Sequence, residues 1–546
     1  MELDRRKILT GASLGGLALA GSGIGSIPAL AQGARASSSL DPYADMAWAR
    51  GVEGQRRADL GDGRFLNPIL AGDRPDPSII KVGADYYLTF SSFDAYPGLL
   101  IWHSRDLVNW TPRTAALTMP IGSVWAPDLC HHQGRFTCYI PARTAAYKSI
   151  YVIHADAIDG PWSDPVDLNL PIHIDPCHVV DSDGTRWLFL SGGDRVQLSP
   201  DGLSTVGAVG HVYDPWRYPE EWVVETFAPE GPKIMRRGGW WYMTTAVGGT
   251  AGPPTGHMVI MARSRTLAGP WENAPNNPQI RTQSAREKWW SRGHATPFEG
   301  PDGQWWMIYH GYENGYWTLG RQTLLEPVRW RDDGWLEPMG GDLSTPLAKP
   351  VNLGPQPHGM PLSDDFARDR FGETWAFYSP GANESARIVY RDGAMVVAGK
   401  GSTPADCSPI CCIAGDHSYR MICDVELDGG AEAGLLLFYN RRLYAGLGFG
   451  PDGLVMHRYG LQRARGLPPG MAAPPRRLTI RLTNEENILT IHTRAPEDAG
   501  WRKFDVQMEL SGYHHNVAYD FLSLRPALYV AGAGEARFRS FTYEAL

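Results

Sequence analysis

One short pattern recurs five times in this chain of 546 residues. In each copy a glycine turn leads into a strand-like run rich in Trp, Tyr and Phe. The copies lie about 50 to 65 residues apart, at Gly83–Leu88, Gly134–Tyr139, Gly184–Phe189, Gly239–Met243 and Gly303–Met307. A unit of this length cannot bury both faces of its sheet alone, and packing several units around an axis solves that problem. The repeat therefore predicts a five-bladed β-propeller over residues 65–340. The alternative is an open β-sandwich with accidental internal similarity.

The rest of the chain also favours an all-β protein. Residues 341–361 contain five prolines and few periodic apolar positions, which indicates an extended linker. Short alternating runs separated by turn residues return over residues 362–546. This spacing predicts an antiparallel β-sandwich as a second domain.

Composition argues against several classes of protein. The formal net charge is -8, and Lys and Arg form no long runs, which disfavours a nucleic-acid-binding protein. Beyond the N-terminus no apolar run approaches the length of a membrane span. The seven cysteines are odd in number and lack paired CxxC spacing, so they are interpreted as buried apolar residues. A local disulfide among Cys407, Cys411 and Cys412 is the weaker alternative.

The N-terminus has the features of an export signal over residues 1–31. Arg5-Arg6-Lys7 precedes an apolar stretch rich in Gly and Ala, and Ala29-Leu30-Ala31 has the small-x-small form of a cleavage site. The paired arginines favour a twin-arginine signal over an ordinary secretory signal. We therefore expect export to the periplasm or the medium, with residues 32–64 as an N-terminal linker.

Three acidic residues occur in unusual, proline-bounded settings. Asp76 lies in Arg74-Pro75-Asp76-Pro77, Asp128 in Trp125-Ala126-Pro127-Asp128, and Glu230 in Pro229-Glu230-Gly231-Pro232. Prolines restrict the backbone and would aim each carboxylate rigidly. A single Asp-Pro is ordinarily a turn, but each of these three enters a different blade. They are the candidate catalytic residues.

These motifs, with Asn67-Pro68-Ile69-Leu70 before them, resemble those of glycoside hydrolase family 43. That family contains β-xylosidases and α-L-arabinofuranosidases built on five-bladed propellers. Residues 362–546 resemble the concanavalin-like sandwich attached to many of its β-xylosidases, best at Gly434–Asn440. Lys233 departs from the family, which usually has His after Glu-Gly-Pro.

The resemblance implies that Asp76 is the general base, Glu230 the general acid, and Asp128 the residue that tunes and orients the acid. Inverting hydrolysis uses such a pair, and a nearby carboxylate and an apolar wall both raise the pKa of the acid. Trp125 and Phe227 are the candidates for that wall and for substrate contact. Glu225 is the alternative acid.

Two further residues match the family. His294 resembles a histidine on the propeller axis, which in the family often binds calcium or ordered water. His294 is therefore a candidate calcium site, although no cofactor is required for the reaction. Arg321 resembles an arginine that contacts the sugar, and the alternative is a salt bridge that closes a blade.

The resulting hypothesis is an exported, inverting, exo-acting β-xylosidase or α-L-arabinofuranosidase. Its expected partner is an oligosaccharide or polysaccharide from plant cell walls. A glycosidase of the same fold with another specificity, such as a galactan-directed enzyme, is one alternative. A non-catalytic carbohydrate-binding propeller is another, and the presence of all three acidic motifs counts against it.

Overall fold

The computed structural model describes residues 47–465, 467 and 473–546. The predicted export signal lies outside these residues, as does the first part of the predicted N-terminal linker. The described residues are almost entirely strands and turns, with one short α-helix, α1 (His515–Ala518). None of the helices in this part of the chain has the length and apolarity needed to cross a membrane.

The five repeats form the five blades of a β-propeller, as the sequence predicts. Before them come β1 (Ala49–Arg50), β2 (Arg56–Arg57) and β3 (Arg64–Phe65). Blade 1 contains β4 (Ser78–Val82), β5 (Asp85–Thr89), β7 (Gly98–Ser104) and β8 (Thr111–Leu117), with β6 (Ala95–Tyr96) in a loop. Blade 2 contains β10 (Asp128–His132), β11 (Arg135–Arg143), β12 (Lys148–Ala155) and β13 (Val166–Asp167), with β9 (Ser123–Val124) beside β11.

Blades 3 to 5 repeat the same antiparallel order. Blade 3 contains β14 (Cys177–Val180), β15 (Arg186–Leu190), β16 (Asp194–Leu198) and β17 (Thr205–His211). Blade 4 contains β18 (Glu230–Arg237), β19 (Trp240–Val247), β20 (Met258–Ser264) and β21 (Glu272–Asn273), with β22 (Ile280–Arg281) beside β20. Blade 5 contains β23 (Trp289–Glu299), β24 (Trp305–Glu313), β25 (Arg321–Trp330) and β26 (Leu336–Pro338).

The repeated glycine has the same structural role in every blade. It lies in the turn between the first and second strands, and its φ is positive in all five copies: Gly83, Gly134, Gly184, Gly239 and Gly303. Side chains other than glycine adopt this backbone conformation only at a cost. The aromatic run that follows is the second strand, which lies inside the blade and packs on both faces. The pattern is thus readable from local sequence.

Neighbouring blades are held together by apolar clusters between their faces. Ile101 of blade 1 packs in one cluster with Ile140 of blade 2, and Leu88 of blade 1 shares another with Ile308 of blade 5. The ring of blades is therefore closed by burial of apolar surface between the first and last repeats.

The stretches predicted as linkers contain strands of their own. β27 (Leu347–Ala348) pairs with β3, so the chain after blade 5 returns to the segment before blade 1. In the described part of the N-terminal stretch, β1 pairs with β2 and Arg56 is buried. Arg56 N donates to Asp416 Oδ1 (2.8 Å), which joins this segment to the C-terminal region.

The C-terminal region forms a large antiparallel sheet system. Its strands are β28 (Ala376–Tyr378), β29 (Ile388–Arg391), β30 (Ala394–Ala398), β31 (Ile410–Cys411), β32 (Ser418–Asn440), β33 (Leu443–Gly450), β34 (Gly453–Arg458), β35 (Leu461–Arg465), β36 (Arg477–Glu485), β37 (Ile488–Arg494), β38 (Arg502–Glu509) and β39 (Arg525–Ala545). The long strands β32 and β39 pair along most of their length. Short 3-10 turns occur at Val52–Gly54, Ser191–Gly193, Trp317–Leu319 and Glu384–Arg387.

The sheet system is packed directly against the propeller. β28 pairs with β6 of the blade 1 loop, and Arg525 Nη2 lies 3.0 Å from Asp73 Oδ2 in a buried ion pair. Thr318 of blade 5 donates to Asn487 Oδ1 (2.8 Å). These polar contacts fix the second domain beside blade 5 and beside the segment before β4, where Asp76 lies.

All seven cysteines carry free thiols, and six of them are buried. Their burial agrees with their interpretation as small apolar residues. Cys407, Cys411 and Cys412 form no disulfide in the described residues.

Candidate active site

A narrow pocket at the centre of the propeller brings together five of the seven predicted site residues. Asp76, Trp125, Glu230, His294 and Arg321 all line it. They come from blades 1, 2, 4 and 5, or from the loops that enter those blades. The structure thus joins residues that are far apart in the chain. The other two predicted residues, Asp128 and Phe227, do not line this pocket.

Asp76 is held firmly as a carboxylate. Ser91 Oγ donates to its Oδ2 (2.5 Å) and Arg321 Nη1 to its Oδ1 (2.9 Å). Burial disfavours the charged form, but the cations of Arg321 and His294 outweigh it and hold the pKa of Asp76 well below its usual range. The backbone N–H of Asp76 donates to His310 Nδ1 (3.1 Å), which fixes the main chain as well.

The backbone at Asp76 is strained. Its φ is 56°, although a residue before proline normally adopts an extended conformation. Such conformations cost about 1–3 kcal/mol and are found mainly at functional sites. The hydrogen bonds from Ser91 and Arg321 offset that cost.

Asp175 has the same local setting as Asp76, and the sequence reasoning missed it. It precedes Pro176 as Asp76 precedes Pro77, its φ is 53°, and it comes just before the first strand of its blade. It lines the pocket, where Gly231 N donates to its Oδ2 (3.0 Å) and His294 Nε2 lies 3.3 Å from the same oxygen. The repeated Asp-Pro dipeptide was the signal that could have identified it.

Glu230 is placed to hold a proton near neutral pH. Burial in the pocket, with the Asp175 carboxylate beside the following residue, raises the pKa of Glu230 to about 8. Asp76 adds to this effect, whereas His294 and Arg321 oppose it. One carboxyl group in the pocket is therefore ionised while another stays protonated. This is the division of states that general acid and base catalysis requires.

Asp128 was predicted to lie beside Glu230, and the structure corrects this. Lys233 Nζ lies 2.5 Å from Asp128 Oδ1, and His178 N donates to Asp128 Oδ2 (2.8 Å). Both carboxylate oxygens of Asp128 therefore make their contacts outside the pocket. Asp175 occupies the place beside Glu230 that was assigned to Asp128.

The position of each residue relative to its proline explains the error. Residues before the proline line the pocket, as Asp76, Ala126 and Asp175 do. Residues after it point to the next blade and accept a backbone hydrogen bond there: Ser78 from Leu129 N (2.9 Å), Asp128 from His178 N (2.8 Å) and Cys177 from Ile234 N (3.4 Å). Asp128 follows its proline, so it joins blades, and Ala126 holds the pocket position in blade 2.

Phe227 and Glu225 also lie outside this pocket. Phe227 packs against Tyr218, and the Arg217 guanidinium lies 3.8 Å from its ring centroid. Glu225 is exposed, and its Oε2 accepts a hydrogen bond from Ala251 N (2.6 Å), which ties this loop to the pocket wall beside Thr250. This arrangement supports the choice of Glu230 over Glu225 as the acid.

Two phenylalanines supply the apolar wall. Phe93, from the blade 1 loop, stacks on Phe521 of the C-terminal domain with ring centroids 6.4 Å apart. The Arg321 guanidinium lies 5.7 Å and 5.3 Å from these two rings. The second domain therefore contributes directly to the wall of the pocket.

The predicted calcium site at His294 remains a prediction. Calcium takes six to eight oxygen ligands. In the described parts of the chain no group of three or more His, Cys, Asp or Glu side chains is arranged to hold a metal. Burial opposes protonation of His294, but Asp76 and Asp175 outweigh it and raise its pKa, which favours a cation there. We assign no step to a metal.

Comparison with known proteins identifies the family of the propeller. The family model described as Glycosyl hydrolases family 43 matches residues 65–336. The propeller of this chain belongs to that family. The matched residues contain Asp76, Asp175, Glu230, His294 and Arg321.

Named relatives include two with different sugar specificities. The chain is 32% identical over 312 residues to a xylan 1,3-beta-xylosidase from a Vibrio species, an alignment that covers 49% of this chain and 56% of the relative. It is 31% identical over 368 residues to a non-reducing end alpha-L-arabinofuranosidase from Bacteroides ovatus, covering 62% and 66%. The alignments thus span just over half to about two thirds of these relatives.

Solved structures of family 43 proteins are similar to this chain over both the propeller and the C-terminal domain. The crystal structure of the GH43 protein BlXynB from Bacillus licheniformis matches with a TM-score of 0.77 and 25% identity, covering 88% of this chain and 100% of that chain. A Bacteroides ovatus GH43B from a xyloglucan utilisation locus matches equally well. The five-bladed propeller followed by a β-sheet domain is therefore a shared architecture.

Proposed function

We propose that this protein is an exported, inverting glycoside hydrolase that removes terminal pentose residues from plant-type oligosaccharides, as a β-xylosidase, an α-L-arabinofuranosidase or both. The observation that carries the proposal is one pocket in which Asp76 is held ionised and Glu230 has a raised pKa. The names of the relatives support the pentose specificity, and the N-terminal twin-arginine motif supports export.

In the proposed mechanism Asp76 removes a proton from a water molecule that attacks the anomeric carbon. Glu230 gives its proton to the glycosidic oxygen as that bond breaks. Arg321 and Ser91 orient the base, and Asp175, held by Gly231 N, keeps the acid protonated. His294 lies beside Asp175 and orients it.

The leaving group must lie on the side of Glu230, because Glu230 protonates its oxygen. The segment that runs into Glu230 carries Phe227 and packs with Trp216 and Trp222 against blade 4. We therefore assign Phe227 to the region around the leaving-group sugar, beyond the pocket that holds the sugar being released.

Purified mature protein tested on nitrophenyl pentosides and hexosides would decide the specificity. We expect kcat/KM to be highest for a β-xyloside or an α-L-arabinofuranoside. A galactoside that is cleaved faster than both would favour the galactan-directed alternative. Loss of all hydrolysis under every condition would favour the non-catalytic alternative.

Inversion predicts the configuration of the first product. Water activated by Asp76 attacks from the face opposite the leaving group, so an aryl β-xyloside should release α-xylose first. Proton NMR during the first minutes of the reaction, before mutarotation, measures this directly. Release of β-xylose first would contradict a single displacement and require a covalent intermediate.

Replacing Phe521 by Ala should lower kcat/KM about tenfold, because the stacked aromatic wall over the sugar and Arg321 is lost. The melting temperature should change little, since Phe521 is only half-buried. Phe504→Ala removes another half-buried phenylalanine of the same domain and is the matched control. Equal effects of both substitutions on kcat/KM would show that Phe521 acts only on stability.

A further inference from the structure

A buried ion pair that the proposed mechanism does not use lies close to the pocket. Lys233 Nζ and Asp128 Oδ1 are 2.5 Å apart, and each residue is 6% exposed. A buried ion pair costs desolvation on both sides and is often replaceable by apolar residues without loss of stability. Its presence therefore calls for an explanation other than stability alone.

The pair connects the strand that carries Glu230 with the strand that follows Asp175, the two residues whose carboxyl groups interact in the pocket. Lys233 follows Glu230 by three residues on β18. The second oxygen of Asp128 accepts the backbone hydrogen bond of His178 on β14, three residues after Asp175. One carboxylate thus bridges the strand that follows Asp175 and the strand that carries Glu230.

The Asp128 side chain contacts two other blades, whereas the equivalent side chains of blades 1 and 3 each contact one. Ser78 joins blade 1 to blade 2, and Cys177 joins blade 3 to blade 4, each through a neutral side chain that accepts one backbone hydrogen bond. Asp128, in blade 2, contacts blades 3 and 4 together. Burial lowers the pKa of Lys233, but the Asp128 charge outweighs this and raises it, so the ammonium group is retained.

We propose that the Asp128–Lys233 pair is a positioning device for the acid: it locks the start of β18 against the start of β14 and so holds Glu230 beside Asp175. The proposal rests on the proposed function, in which Glu230 is the general acid. Asp128 and Lys233 act through strand placement and do not touch the substrate.

Other titratable groups surround the Asp128–Lys233 pair and Glu230, and none of them is substituted in the test. Cys130, Cys138, Cys177 and Asp175 interact electrostatically with the pair. Around Glu230 the charged groups are Asp175, His294, Asp76 and Arg321. Loss of the Lys233 cation by itself would move the alkaline limb to higher pH, whereas displacement of Glu230 from the Asp175 charge would move it to lower pH, so the direction of the shift separates the two effects.

The test compares Lys233→Met with Lys349→Met. Lys349 forms an equally buried pair with Asp59 (Nζ to Oδ2 2.7 Å) away from the pocket, so its substitution controls for loss of a buried cation. The readouts are the pH profile of kcat/KM, the melting temperature, and the ratio of rates on a nitrophenyl and a dinitrophenyl pentoside. The dinitrophenyl leaving group needs little help from an acid.

We expect Lys233→Met to move the alkaline limb to lower pH by about one unit and to lower kcat/KM on the nitrophenyl substrate about tenfold. The dinitrophenyl substrate should be affected much less. Lys233→Arg, which keeps the charge with a different shape, should give a smaller shift. Lys349→Met should lower the melting temperature and leave the limb in place.

An alkaline limb that stays in place or moves to higher pH in Lys233→Met, with an unchanged ratio of rates, would overturn the proposal and make the pair purely structural. If Lys233→Met fails to fold, the double variant Asp128→Asn, Lys233→Met removes both charges and keeps an acceptor for His178 N. A wild-type pH profile in that double variant would overturn the proposal equally. Wild-type protein that cleaves no pentoside would instead contradict the proposed function.

Discussion

Asp76→Asn is expected to remove nearly all hydrolysis, with kcat/KM lower by about 10³- to 10⁴-fold on every substrate. An amide keeps the shape of the side chain and its contact with Ser91 but cannot accept the proton of the attacking water. A better leaving group does not help, because activation of water remains necessary. Initial rates on nitrophenyl and dinitrophenyl pentosides measure this.

Glu230→Gln should differ from Asp76→Asn in a diagnostic way. Its loss should be as large on oligosaccharides, whose leaving oxygen needs a proton, but much smaller on dinitrophenyl pentosides. Glu225→Gln is the matched control, since Glu225 is exposed and bonds only the nearby loop. Equal losses for Asp76→Asn and Glu230→Gln on both substrate types would contradict the assignment of base and acid.

The propeller could be predicted because its signals are local. Each blade has a turn glycine with positive φ and an aromatic strand after it, and both features lie within a few residues. The placement of Asp76, Glu230 and Arg321 in one pocket followed from motifs at or just before the start of a strand, the first strand of the blade for Asp76 and Glu230 and the third for Arg321. Because the strands recur in the same order in every blade, the residues at their starts occupy equivalent positions around the propeller.

The residue beside the acid was misassigned because the proline motifs are similar but shifted by two positions. Asp175 precedes its proline and faces the pocket, whereas Asp128 follows its proline and faces the next blade. The first strand of each of blades 1 to 4 begins directly after the proline, so a shift of two positions moves a carboxylate from the loop that lines the pocket to the strand that contacts the next blade. A comparison of all the Pro positions within the repeat would have separated the two.

Phe521 could not be predicted from its own surroundings. It reaches the pocket because the C-terminal domain docks on blade 1 through the Arg525–Asp73 ion pair and the β6–β28 pairing. That docking depends on tertiary contacts between distant segments. Phe227, in contrast, was expected at the pocket because it precedes Glu230 closely, yet the loop turns it towards Arg217 and Tyr218.

Asp175→Asn should shift the alkaline limb of the kcat/KM profile to lower pH by about one unit. The amide can still accept the hydrogen bond from Gly231 N, so the backbone at the acid is preserved. The negative charge that disfavours ionisation of Glu230 is removed, and the acid then loses its proton at lower pH. Because burial is the larger cause of the raised pKa, Glu230 should remain a weaker acid than an ordinary glutamate.

At neutral pH the same substitution should lower kcat/KM about 10- to 100-fold on substrates with poor leaving groups, since less of the acid is protonated and His294 loses its charged partner. Asp183→Asn, on an exposed turn of the same blade, is the matched control and should leave both the limb and the rate unchanged. A limb that stays in place, or moves to higher pH, would show that Asp175 does not act on Glu230 by its charge, and its role would then reduce to holding Gly231 and His294 in position.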